Sequence, residues 1–170
     1  MRAHRPPVRL IPRLLLAAAS ALLAPGPARA VPSAFDTGSR GYGIVIGEPA
    51  GAVFKLRLKG NRAVDAGIVS AISTYFFVHS DYLFHLLNHR GTELYAGIGG
   101  GFLFSGENPD GSRFGESTGS VLFCGRIPVG LEYAVPDSPV GVYLEGVPNW
   151  GILPSFFSFF QAGIGIRVYQ

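Results

Sequence analysis

The sequence predicts an all-β fold, an eight-stranded antiparallel up-and-down transmembrane β-barrel. Three observations carry that expectation. From Gly41 almost to the end, apolar and polar residues alternate with period 2, the spacing that sends successive side chains to opposite faces of a strand. Nearly all segments between the alternating runs are short, as in antiparallel hairpins. Charge is also sparse. Of 14 Lys and Arg, Arg2, Arg5, Arg9, Arg13 and Arg29 lie in the first 30 residues, which hold no acid. Residues 31–170 keep 9 bases and 11 acids, about 14% charged against the roughly 25% of soluble domains.

Eight runs follow in order. The first, 40–48, places Tyr42, Ile44 and Ile46 on one face. Pro49-Ala50-Gly51 turns into the second, 52–59, with Phe54, Leu56 and Leu58 opposite Lys55, Arg57 and Lys59. Gly60-Asn61 is a turn signal. The third, 63–73, sets Val64, Ala66, Ile68 and Ile72 against Asp65. The fourth, 75–87, sets Phe76, Val78, Tyr82, Phe84 and Leu86 against His79, Asp81 and His85. The fifth, 93–104, has Leu94, Ala96, Ile98, Phe102 and Phe104 opposite Glu93, Tyr95, Gly97, Gly99 and Gly101. A polar, glycine-rich loop, 105–118, leads to the sixth, 119–135. There Val121, Phe123, Ile127, Val129, Leu131 and Tyr133 oppose Cys124, Arg126 and Glu132. After Pro136-Asp137-Ser138-Pro139 the seventh, 140–147, sets Val142 and Leu144 against Glu145. The eighth, 157–169, sets Phe160, Ala162, Ile164, Ile166 and Val168 against Gln161, Gly163, Gly165 and Arg167. No run has helical periodicity, which excludes a βαβ arrangement.

The first 30 residues read differently. A basic segment, an 11-residue apolar run (14–24) broken only by Ser20, and Ala28-Arg29-Ala30 describe a cleavable export signal. The apolar run is too short to span a bilayer as a helix. The domain expectation is a signal peptide at 1–30, a short lead at 31–40 and one barrel at 41–170. The single Cys124 allows no internal disulfide, and no metal-ligand spacing is present.

Closure into a barrel removes the exposed edges of such a sheet. A soluble lipocalin-like barrel binding an apolar ligand would turn the apolar face inward; a membrane barrel turns it to lipid. Scarce charge and small residues on the polar face favour the second, since an eight-stranded interior is only wide enough for side chains. The polar set is then the interior. Lys55, Arg57, Lys59, Arg126 and Arg167 face Glu48, Asp65, Asp81, Glu93, Glu132 and Glu145, with His79 and His85 among them. Charges withdrawn from water need partners. With both termini periplasmic, the outward loops are 49–51, the turn near Thr74, 105–118 and 148–156, and the inward turns are 60–62, 88–92 and 136–139. Trp150, Phe156 and Phe157 lie by the last outward loop, where an aromatic girdle belongs.

His79, Asp81 and His85 could form a metal site or a pair activating a nucleophile; a structural hydrogen-bonded cluster explains them as well and is favoured. The residues around Gly97-Ile98-Gly99-Gly100-Gly101 lack the Lys-Ser/Thr of a phosphate loop. The acidic balance of residues 31–170 argues against nucleic acid. A lipid A-modifying enzyme is the catalytic alternative. A deacylase of that kind uses an H-x-S pair, whereas Ser80 directly follows His79 and would face the opposite way.

The segments GYGIVIGEPAG (41–51), AVD (63–65), DYLFH (81–85), YAGIGG (95–100) and AGIGIR (162–167) together resemble a family of small bacterial predicted outer-membrane β-barrel proteins. The family's usual motifs are G-E-P-T-G and D-Y-L-W-H; Ala50 and Phe84 stand at the differing places. The resemblance covers about 41–169 and implies an architecture similar to the transmembrane barrels of outer-membrane proteins A and X, without an activity. Barrels of that kind usually end in an aromatic residue, whereas this chain ends in Tyr169-Gln170. The expectation is a non-enzymatic, monomeric outer-membrane protein with a structural or surface-interaction role. Its partners would be membrane lipid and lipopolysaccharide, the barrel-assembly machinery, and a surface ligand through loop 105–118. It would need no cofactor or metal.

Overall fold

The structure, a computed structural model, describes residues 35–71, 75–105, 121–154 and 156–170. The expected signal peptide at 1–30, the turn near Thr74 and, past Ser105, the loop 105–118 lie outside the described residues. The described chain is all β. Its strands are β1 (Arg40–Glu48), β2 (Ala50–Leu58), β3 (Arg62–Ala71), β4 (Tyr75–His89), β5 (Thr92–Ser105), β6 (Val121–Arg126), β7 (Val129–Ala134), β8 (Val140–Leu153) and β9 (Phe157–Tyr169). All neighbours pair antiparallel, and the β1–β9 pairing closes the sheet into a ring.

The strand count is nine where eight were expected, because the expected sixth strand is divided at Ile127-Pro128. Proline has no N–H to give to a ladder. The ring is unaffected. β6 and β7 both lie between β5 and β8, and the pairs Gly99↔Arg126 and Ala96↔Val129 keep one register across the gap. The carbonyl of Pro128 still accepts from the Gly97 amide at 2.8 Å, and the Ile127 amide donates to Pro148 at 3.1 Å. The ring therefore has eight places filled by nine strands.

A second correction concerns 148–156, expected as a loop. β8 runs to Leu153, with Pro148 opposite Phe160 and Trp150 opposite Ser158. Pro148 and Asn149 resemble turn residues, but the strand carries them in register with β9. Phe157 also departs from the girdle expected of it. It is half-buried and packs with Phe159 against buried residues inside the ring.

Alternation decides which side chains enter the lumen. Odd positions point inward on β1 to β5, β8 and β9, and even positions on β6 and β7. The alternation continues through the Ile127-Pro128 gap. On β4 a bulge after His85 shifts the pairing so that Leu87 faces Leu94, and Asn88 comes opposite Glu93. The outer wall is apolar around the ring: Ile46, Ile68, Ile98, Leu144, Ile164 and Ile166 are all exposed. Aromatic pairs stand towards both ends of this wall. Tyr42–Phe54 and Tyr82–Phe84 lie towards the end that carries the C-terminus, and Phe76–Phe104 and Phe102–Phe123 towards the other.

Inside, small residues make the room that large ones occupy. A side-chain carbon on Gly99 would overlap the Asp81 carboxylate and the Ser80 carbonyl; one on Gly43 would overlap the Ile166 carbonyl beside Arg167. Backbone cannot yield as a flexible side chain can. Gly99→Ala should therefore cost about 1–3 kcal/mol, read as a lower unfolding midpoint of the detergent-folded barrel. Gly125→Ala, whose added methyl meets only the tip of Ile152 at 3.3 Å, should leave the midpoint nearly unchanged. Equal effects would contradict the packing described.

Candidate functional site

Among the described residues, most chemistry-bearing side chains gather in the lumen. Its centre is Glu132, delivered by β7 and fully buried. Lys55 of β2 approaches it at 2.5 Å, the Tyr169 hydroxyl of β9 donates to it at 2.5 Å, and Arg167 of β9 reaches it at 3.3 Å. The other arm of Arg167 meets Asp65 of β3 at 2.6 Å. One guanidinium thus joins two carboxylates, and four strands are tied across the ring. The faces of two tyrosine rings support the cations: Lys55 lies 4.5 Å from the centre of Tyr95, and Arg167 3.6 Å from that of Tyr143.

Beside this group sits Arg126. Its Nε lies 3.0 Å from Asp81 Oδ1, and its Nη2 lies 3.6 Å from Glu145. His79 Nδ1 is 3.3 Å from the other oxygen of Asp81. The Arg126 Nε and His79 contacts are close but poorly aligned, so they attract as charges and dipoles rather than as directed hydrogen bonds. Glu145 also accepts the Tyr95 hydroxyl at 2.8 Å.

The third group lies towards the chain termini. Arg57 forms a two-pronged pair with Glu93, at 2.7 and 2.9 Å. His85 Nε2 is 2.6 Å from Arg57 Nη1, and its Nδ1 is 3.3 Å from the Asn61 carbonyl. Both contacts fit one tautomer, with Nδ1–H donated and Nε2 accepting. Asn88, re-aimed by the bulge, donates to Glu93 at 3.3 Å. The lead at 35–39 crosses this end: Gly38 donates to the Arg57 carbonyl at 2.9 Å, and the Phe35 ring centre lies 5.4 Å from the Arg57 guanidinium.

Lys55, Arg57, Asp65, His79, Asp81, His85, Glu93, Arg126, Glu132 and Arg167 are thus buried in the lumen, and Glu145 is half-buried there. Two expected interior residues are not. Glu48 shares the parity of Tyr42 and Ile44 and is exposed at the end of β1. Lys59 lies past the end of β2 and is exposed. At strand ends no lumen remains to receive a charge.

Residues expected as one chemical cluster are divided. His79 stays with Asp81, while His85 belongs to Arg57 and Glu93. Among the described residues no group of three His, Cys, Asp or Glu is placed to hold a metal. Ser80 is exposed on the outer wall, opposite in facing to His79, and donates to the Asp65 carbonyl at 3.3 Å.

The alternation also hid an apolar zone. Towards the end that carries the Ala71 and Ser105 ends of β3 and β5, the lumen is packed with Val69, Tyr75, Phe77, Leu103, Leu122 and Cys124. Asn149 donates to Gln161 at 3.2 Å, and Gln161 to the Tyr75 hydroxyl at 3.1 Å, along its margin. A small cavity separates this zone from the charged one, lined by Val45, Val53, His79, Arg126, Tyr143 and Glu145, among others. Parity with the charged residues could have revealed the zone: Phe77 stands two places before His79, and Cys124 two before Arg126.

No protein-family model matches the chain, and no curated protein matches it. Two solved structures share its fold. One is the N-terminal β-barrel domain of Pseudomonas aeruginosa OprF, with a TM-score of 0.62 and 13% identity over 79% of this chain and 98% of that one. The other is Neisserial surface protein A (NspA), with a TM-score of 0.54 and 12% identity over 76% of this chain and 92% of that one. At such identities the likeness is one of fold. It nevertheless extends over almost the whole of each neighbour.

Glu132→Ala leaves Lys55 without its carboxylate and beside the Arg167 guanidinium, and should cost about 3–5 kcal/mol. Lys55→Met with Glu132→Leu removes both charges, and the double variant should lose well under the sum of its two single losses. Additive losses in that double-mutant cycle would show that the two groups are not coupled. Asp81→Ala should likewise lower the unfolding midpoint by leaving Arg126 with the more distant Glu145.

Proposed function

We propose that the chain is a small integral outer-membrane β-barrel of non-enzymatic role, which stabilises the envelope or presents its loops to a partner. One observation carries this reading: the wall is apolar around the whole ring while the charged side chains are gathered and paired inside. In water that arrangement would expose a far larger apolar surface than soluble monomers tolerate; in a bilayer it is the facing that lipid requires. It is also the reverse of a lipocalin-like barrel. The aromatic pairs at both ends of the wall fit the two interfaces of a membrane.

Export through residues 1–30, insertion by the barrel-assembly machinery, contact with lipopolysaccharide and a ligand for loop 105–118 belong to the same proposal. The name of one structural neighbour, a surface protein, agrees with that location. The non-enzymatic part draws on the lumen. Its charges are engaged with one another, its far zone is largely packed by Phe77, Leu103 and Leu122 and leaves a small cavity on the Val45 and Val69 side, and the lead crosses the other mouth. A substrate would find little access.

The chain should appear in the outer-membrane fraction, need detergent for extraction, and migrate differently in gel electrophoresis before and after heating. Release by buffer alone would overturn the proposal, and hydrolysis of lipopolysaccharide in detergent would overturn its non-enzymatic part. Ile98→Arg and Ile166→Arg should each weaken insertion by about 2–4 kcal/mol if the residue lies near the midplane. Normal insertion of both variants would mean that the outer wall does not face lipid.

A further inference from the structure

The described cations divide evenly between the lumen and the outside, and the outer four are not scattered. Lys55, Arg57, Arg126 and Arg167 are inside; Arg40, Lys59, Arg62 and Arg90 are exposed. All four exposed cations lie at the end that carries the C-terminus. They also occupy one arc of its rim: Arg40 opens β1, Lys59 is in the β2–β3 turn, Arg62 opens β3 and Arg90 is in the β4–β5 turn. His89 is exposed beside Arg90. The opposite arc has no described cation. Its β7–β8 turn carries Asp137, and β9 ends at Tyr169; the cationic arc has one exposed acid of its own, Asp36 of the lead. At the far end of the ring the one described charge is Glu48.

Arg62 shows how this arc meets the wall. It shares the outward face of β3 with Val64, Ala66 and Ile68. Its Nη1 lies 3.4 Å from the Tyr82 hydroxyl, and its Nη2 is 3.4 Å from where a side-chain carbon on Gly60 would sit. The stem therefore runs along the wall and the guanidinium turns to the β2–β3 turn. That is the posture of a cation whose methylenes rest on apolar surface while its charge seeks polar surroundings. The aromatic pairs Tyr82–Phe84 and Tyr42–Phe54 stand on the wall beneath the same arc. Among the described residues Arg40, Lys59 and Arg90 form no side-chain ion pair, so their charge is available to an outside partner.

From this placement we propose that the β1–β5 arc is a binding surface for the phosphate headgroups of anionic phospholipid in the leaflet at the C-terminal end. The proposal rests on the reading of the chain as a membrane barrel. Four cations against one exposed acid, above the two aromatic pairs of this arc, complement a phosphate layer; the opposite arc, with Asp137 and no described cation, does not. Each basic side chain held near an anionic surface strengthens attraction several-fold. The headgroup class follows from where the cations sit: beside the apolar wall, within reach of lipids that pack against it, rather than around a mouth open to solute.

The test uses the barrel reconstituted in phosphatidylcholine vesicles, with spin-labelled phosphatidylglycerol and spin-labelled phosphatidylcholine as alternative probes of the lipids in contact with protein. Phosphatidylglycerol should be favoured several-fold at low salt, and high salt should reduce the preference. The combined variant Arg40→Gln, Lys59→Gln, Arg62→Gln and Arg90→Gln should abolish it, whereas Asp137→Asn should preserve it. These positions are exposed, so the variants are expected to fold, and heat-modifiable migration checks that they do. Equal association of both probes with the unaltered chain, or a preference that survives the combined variant, would overturn the inference. Stronger capture of lipopolysaccharide than of phosphatidylglycerol by this arc would also overturn it, since it would place the rim in the other leaflet. Failure of the chain to enter vesicles of either kind is a separate result, which rejects the membrane reading itself.

Discussion

Everything in this ring depends on the need to compensate charge where there is no bulk water. Glu132 is fully enclosed and has three close partners, contributed by two other strands. A buried ion stabilises a fold only conditionally: it costs several kcal/mol to desolvate, and partners that arrive in good geometry recover that cost. The outer wall is apolar around the ring, so the charges have only the inside to occupy. An eight-place ring is narrow, so they can lie across it only where neighbouring positions are empty of side chain. The glycines opposite Asp81 and beside Arg167 follow from that, and so does the strict alternation. Ion pairing, small residues and an apolar exterior are one solution seen from three sides.

The lumen is also divided along its length. Charged groups fill the half nearer the termini, and Phe77, Leu103, Leu122 and their neighbours fill much of the remainder. The two halves are stabilised differently. The apolar half gains from burial and close packing and tolerates changes of similar volume. The charged half depends on particular partners, and loss of one leaves another unsatisfied. Tyr95 and Tyr143 join them, each laying a ring face under a cation, and Tyr95 also turns its hydroxyl to Glu145.

Much of this was legible in the sequence because a strand's period is two and admits little ambiguity. Once Phe54, Leu56 and Leu58 are assigned to one face, Lys55 and Arg57 must take the other. What failed lay mostly at strand ends. Glu48 shares the outward parity of Ile44 and Ile46, so the period itself puts it outside, and expecting it in the lumen went against that rule. Lys59 lies past the end of β2, where facing no longer applies. Pro148-Asn149-Trp150-Gly151 has the composition of a turn, yet pairing with β9 holds it extended. Pro128 interrupts a strand without shifting its register, because the two flanking pieces already share both neighbours. In β4 both faces carry apolar residues near Phe76 and Phe77, so alternation located the inner face but not the change from polar to apolar along it. Partner choice was not legible at all. That Arg167 spans Asp65 and Glu132, while Arg126 goes to Asp81, depends on the stagger of strands around the ring, which no single strand encodes.

The placement of Arg167 and Tyr169 ties two tasks to one strand. β9 seals the ring against β1, and the same strand brings Arg167 to Asp65 and the Tyr169 hydroxyl to Glu132. Without β9, Asp65 would lose that cation and Glu132 would keep Lys55 alone of its three close partners. Mechanical closure and electrical neutrality are therefore supplied by the same thirteen residues, Phe157–Tyr169. A sheet opened at this seam would be not merely a looser ring but a charged one.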